Sequence, residues 1–160
     1  MRTLLLVLLV FLTVPFAWAK NACTLLTAGD VQAVLGEPAQ PAPPLMMPPY
    51  GPKVEVSMCR FKTASGKTVS LMARYGEPND SPATLVAKLK SQKMPEVREI
   101  SGVGDGAVWS GAQVFGKGNY QLQINKGKYV FLLISVNGKV SEANALDDAK
   151  ALAARVLPRT

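Results

Sequence analysis

Cys23 and Cys59 are the chain's two thiols, and it contains no histidine. Histidine is the side chain whose ordinary pKa suits proton transfer near neutral pH, so base and triad arrangements built on it are excluded. The cysteine spacing is not that of a CxxC redox or zinc pair. An even count in an exported chain favours a disulfide, and a metal-binding or reactive pair is the sharper alternative. The carboxylate pairs Glu96/Glu99 and Asp147/Asp148 read as solvated positions. No SxxK motif carries Ser–Lys chemistry. These residues point away from catalysis and call for no cofactor.

Three other groups could bind rather than react. Ser101-Gly102-Val103-Gly104-Asp105-Gly106 invites comparison with a phosphate loop, but a dinucleotide fingerprint must open a helix, and Ala107-Val108-Trp109-Ser110 reads as strand. The run is better taken as a sharp link between strands, with Asp105 binding backbone amides; ligand contact through Asp105 is the alternative. Leu45, Met46, Met47 and Tyr50 ride on a proline-rich stretch, either folded back on the core or forming an adaptable contact surface, since methionine accepts varied shapes. A thioether copper(I) site is chemically imaginable, but two adjacent methionines without histidine or a third spaced methionine do not make one. Trp109 is either a core anchor or an exposed stacking surface.

The N-terminus sets the compartment. Arg2 precedes an apolar run over Leu4–Phe16, and Ala17-Trp18-Ala19 fits the small-x-small cleavage rule. A helix over Leu4–Phe16 reaches roughly 20 Å at ~1.5 Å per residue, short of the ~30 Å hydrocarbon core. Residues 1–19 are therefore expected to be a signal peptide and residues 20–160 one periplasmic or secreted domain. Lys20-Asn21-Ala22 before Cys23 is not a lipid-attachment motif, so no lipid anchor is expected. The net charge of +7 is spread along the chain without interleaved aromatics. That reads as a solvated surface with, at most, weak attraction to an anionic surface, and not as a nucleic-acid site.

The elements that must position these groups follow from periodicity. Thr27 and Asp30 form a capping-box variant, Leu26 and Val31 a hydrophobic staple, and Gly36-Pro38 a stop; Val31, Val34 and Leu35 make the buried stripe. Residues 37–53 carry Pro38, Pro41, Pro43, Pro44, Pro48, Pro49 and Pro52, which leave no room for a helix or a central strand. Residues 54–63 and 67–75 alternate and form a hairpin. Ser81-Pro82 opens a helix to about Lys93 with Leu85, Val86 and Leu89 inward. Short strands follow at Val97–Ile100, 107–110 and Ala112–Phe115, with a turn at Gly116–Asn119. Tyr120–Val136 is the central hairpin, its second arm apolar on both faces. Asn137-Gly138 reads as a turn, and a final helix over about Glu142–Leu157 places Leu146, Ala149, Ala153, Val156 and Leu157 on one stripe.

The order implies an α+β, two-layer fold: a mainly antiparallel sheet with three amphipathic helices on one face and one disulfide. Cys23-Thr24-Leu25-Leu26-Thr27 leading to Val34-Leu35-Gly36, Cys59-Arg60-Phe61 on a strand, and Ser101–Ala107 before a late hairpin and an Ala/Leu-rich last helix stand in an order that resembles the DUF3558-type family of small exported bacterial proteins, many of them lipoproteins. The resemblance implies an extracytoplasmic α+β domain with its two cysteines paired, and brings no catalytic residues with it. The chain departs from that family in lacking a lipid-attachment motif. The functional expectation is a non-catalytic binding module with an envelope protein as partner. The alternatives are a carrier holding a small apolar ligand between Trp109, Tyr129 and the last helix, and a structural subunit of an envelope complex.

Overall fold

The computed structural model describes residues 20–43, 45 and 50–160. The expected signal peptide, Met46 and Met47 lie outside the described residues. The elements in order are α1 (Ala22–Leu25), α2 (Ala28–Leu35), β1 (Ala39–Pro41), β2 (Glu55–Thr63), β3 (Thr68–Tyr75), α3 (Pro82–Ser91), β4 (Arg98–Ile100), β5 (Gly106–Val114), β6 (Lys117–Lys126), β7 (Val130–Gly138) and α4 (Glu142–Val156), closed by a 3-10 turn at Leu157–Arg159.

One sheet takes all seven strands in the order β1-β2-β3-β7-β6-β5-β4, every neighbour antiparallel. The strand that reads as apolar on both faces, β7, is in the middle. Its Leu132, Ile134 and Val136 point to the front face with Val69, Leu71 and Ala73 of β3 and Tyr120, Leu122 and Ile124 of β6, and are fully buried. Alternation along a strand sends Phe131 and Leu133 to the reverse face. Against the front pack α1, α2 and α4; their Leu25, Val31, Ala145, Ala149, Leu152, Ala153 and Val156, with Leu26 between α1 and α2, complete the main core. The stripe of α4 is rotated slightly from expectation: Ala145 and Leu152 are buried, Leu146 and Leu157 only partly.

The α+β class, antiparallel sheet, three longer helices and single disulfide are as the sequence indicates. Several local features differ. Helix α3 lies on the reverse face, over β4 and β5, where Pro82 touches Gly106 and Leu89 is buried. Hydrophobic periodicity fixes which side of a helix is buried but not which side of a sheet it covers. The proline-rich segment contributes an edge strand, β1, whose pairing runs from Ala39↔Thr63 to Pro41↔Phe61. Proline is acceptable there because an edge strand has a side that needs no donor. Asn137 and Gly138 are the last residues of β7, paired with Asn119 and Gly118. The turn before β6 is Phe115-Gly116, with φ of +50° and +72°, a type I′ geometry.

Candidate functional site

Cys23 in α1 and Cys59 in β2 form a disulfide with Cα atoms 4.9 Å apart. The pairing pins the N-terminal helices to the front of the sheet. The expected disulfide is thus present, and among the described residues no cysteine is free.

The capping box of α2 is present as read: Asp30 N donates to Thr27 Oγ1 at 3.2 Å and Thr27 N to Asp30 Oδ2 at 3.0 Å. The same carboxylate has a second role that local sequence did not show. Arg159 donates to Asp30 Oδ2 at 2.5 Å and Oδ1 at 3.0 Å, and also to Leu25 O at 2.8 Å, while Arg155 lies 3.6 Å from Oδ1. Asp30 is buried, and the Arg159 hydrogen bonds hold its carboxyl well below the usual carboxylate range against the cost of burial. With Arg159 also bonded to Leu25 O, the carboxylate is a clamp between α2 and the C-terminus.

Asp105 acts as the turn reading expects. Gly127 N donates to its Oδ2 at 2.6 Å, and Asp105 N donates to Asn125 O at 2.9 Å. The β4–β5 link is thereby tied to the β6–β7 turn. At Gly104, φ is +58° and a Cβ would lie 2.6 Å from Asn125 O, so glycine is required for this approach.

Trp109 is fully buried, which corrects its place among the candidate contact residues. It stacks on Tyr120 with ring centroids 5.6 Å apart, and its indole N–H donates to Glu142 Oε1 at 3.2 Å. Arg98 completes that chain at 2.7 Å from the same oxygen. The space a carrier would need between Trp109 and α4 is filled by side chains, and Tyr129 is half-exposed at the β6–β7 tip. Leu45 and Tyr50 are exposed at the surface, and the Tyr50 hydroxyl lies 4.0 Å from Met72 Sδ.

Met72 is on the reverse face. The register places Met58, Met72, Leu133, Gln123 and Val108 in one row across five strands, with Val56, Arg74, Phe131 and Asn125 in the next. Between this face and α3 runs a groove of about 180 Å³ lined by Arg74, Leu85, Leu89, Gln123 and Phe131, among others. The Arg74 guanidinium is 4.9 Å from the Phe131 ring centroid and is held by Glu77 at 2.9 Å and Asn79 at 3.3 Å. Gln123 is buried. Over β2, β3 and β7 the reverse face presents Val56, Met58, Met72 and Leu133, each half-buried. Tyr50 therefore meets a surface of its own kind, whereas Asp105 stands apart, among the turns at one end of the sheet. The single-sequence signal for this surface was the second set of apolar residues in the alternating strands; what it lacked was which strands are neighbours.

Larger concavities, of about 530 and 520 Å³, are surface clefts lined respectively by Lys67, Lys139, Asp147 and Asp148, among others, and by β1 with Lys62 and Thr63. Among the described residues no group of three or more His, Cys, Asp or Glu side chains is placed to hold a metal, and no helix is long and apolar enough to cross a membrane.

No protein-family model matches this chain, and no curated protein matches it. Among solved structures it is similar to the crystal structure of the extracellular domain of PknH from Mycobacterium tuberculosis. That likeness has a TM-score of 0.50 at 12% identity and covers 88% of this chain and 98% of the other. It shows a shared fold.

Proposed function

We propose that this protein is an exported, non-catalytic binding module that engages a protein of the cell envelope through the reverse face of its sheet, beside Tyr50. The observation that carries the reading is the row Met58–Met72–Leu133 and its neighbour Val56, which lie on the half of the sheet away from α3 and have Tyr50 laid against Met72. Methionine and aromatic side chains are the types enriched in the cores of protein interfaces. The adjoining groove, at about 180 Å³, is below the size that encloses a lipid-like molecule, whereas a half-buried apolar row three strands wide suits a polypeptide. The disulfide and a structural neighbour that is an extracellular domain both fit an exported protein, as does the apolar leader in the sequence. The order of the sequence landmarks fits the DUF3558-type exported proteins. The non-catalytic reading is supported by how the reactive groups are used: both thiols are bonded, and Asp30 is locked in an ion pair.

The test is a photo-crosslinking residue at Tyr50, with one at Lys150 on the exposed side of α4 as control, in the chain expressed with its own leader. The expected result is a discrete protein adduct from position 50 alone, lost on Met72→Lys while the fold persists by circular dichroism. Equal labelling from both positions, or an adduct that survives Met72→Lys, overturns the assignment of this face. Co-purified apolar ligand in native mass spectrometry, with no protein adduct, favours the carrier.

A further inference from the structure

At the end of the sheet opposite Lys20, the β5–β6 hairpin closes on Val114-Phe115-Gly116-Lys117. Phe115 is fully exposed and Val114 is about half exposed. Phe115 also holds φ at +50°, a conformation that suits Asn or Gly and strains an aromatic residue. Folding gains nothing from this phenyl group and bears its strain, so its role lies outside the fold. We propose that this tip is a wedge that inserts into the headgroup region of an anionic lipid surface.

Three observations favour a lipid surface over a protein. The apolar tip is two side chains wide, far less than the ~800 Å² that each partner of a stable protein interface presents, but sufficient for shallow insertion. The hairpin is paired to its last residues, Val114↔Lys117, so the wedge is rigid before it binds. Cations flank it: Lys117 is on the same hairpin, and Lys67 and Lys139 line the cleft that Gly116 borders. Asp147 and Asp148 line that cleft too, and Glu37 pairs with Lys67 at 3.6 Å. The electrostatic share of binding is therefore modest, and the phenyl group must dominate.

The geometry also sets an orientation. Lys20 lies with Glu55 and Tyr75, one strand length from the Thr68 end of β3, or roughly 25 Å at ~3.3 Å per residue. A chain anchored at residue 20 would hold Phe115 away from its membrane. The contact thus rests on the exported module proposed above and on removal of the leader expected from the sequence, although vesicle binding itself can be measured whatever the compartment.

The test uses the chain beginning at Lys20, which contains every described element, with vesicles of equal parts phosphatidylglycerol and phosphatidylcholine and with phosphatidylcholine alone. The expected result is co-sedimentation that is stronger with the anionic vesicles, and about tenfold or more weaker for Phe115→Asn. Asn suits the turn, so that variant should unfold no lower than the parent. Phe115→Trp should shift its emission to the blue on adding anionic vesicles. Unchanged binding by Phe115→Asn, or unchanged emission from Phe115→Trp, overturns the proposal. So does a tip that binds no vesicle but crosslinks to a protein.

Discussion

Asp30 shows how far a single residue can be read from its neighbours. Its place three residues after Thr27 announced the capping box, because a cap is a local bargain between adjacent backbone groups. Its partnership with Arg159, 129 residues away, had no local signal. The consequence is a definite pH dependence. The folded carboxyl titrates below its unfolded counterpart, so its contribution to stability is complete above the ordinary carboxylate range and is lost as pH falls through and below it. We expect Asp30→Ala to cost about 2 kcal/mol at neutral pH, from cap and ion pair together. The variant should also show a shallower loss of stability in acid than the parent, measured by urea unfolding across a pH series. A parallel acid profile would mean that Asp30 does not govern it. Asp105 is the simpler case. Its amide-binding role was legible because a glycine-rich turn leaves few other uses for an aspartate. Asp105→Ala should cost ~1 kcal/mol by losing the bond from Gly127 N. Unchanged stability with loss of partner capture would instead make it a contact residue.

At the scale of elements, the strands were legible where alternation was strict and misplaced where glycine interrupted it. The central hairpin and the β2–β3 hairpin follow the period-two pattern. Asn137-Gly138 carries a strong turn signature yet continues β7, because Gly118 and Gly138 are paired across from one another and extend the ladder. Glycines here make two distinct contributions. Gly36, at φ +72°, has open space where a Cβ would stand, whereas at Gly111, φ +147°, a Cβ would lie 2.4 Å from Asn119 O and 2.7 Å from Tyr120 Cα. Gly111 therefore lets β5 approach β6 closely beneath the Tyr120 ring that stacks on Trp109. Gly36→Ala should cost about 1 kcal/mol for its left-handed backbone alone. Gly111→Ala should cost at least twice that, from backbone and clash together. Denaturant midpoints of the two variants compare them directly, and equal losses would show that the ladder relaxes around an added methyl group.

For the whole molecule, β7's central position followed from its apolar faces, but the side of the sheet that α3 covers did not. That choice depends on the strand order β7-β6-β5-β4, which no window of sequence contains. The same holds for the closure of the chain on itself. The disulfide ties α1 to β2, and Arg159 ties the C-terminal turn to Leu25 O and Asp30, so two fastenings hold one N-terminal segment against the sheet. Removing the disulfide by Cys23→Ala with Cys59→Ala should cost ~3–4 kcal/mol in the chain-entropy model. Because both fastenings restrain the same segment, their losses should not add. Once the disulfide is gone and the N-terminal helices can separate from the sheet, Arg159→Ala should lower Tm by less than it does in the oxidised parent. Hydrogen exchange should locate the effect in α1 and α2, with residues 132–136 of β7 remaining the slowest. Strictly additive shifts in Tm would mean that the two fastenings stabilise separate parts of the fold, and that the N-terminal segment does not open as a unit.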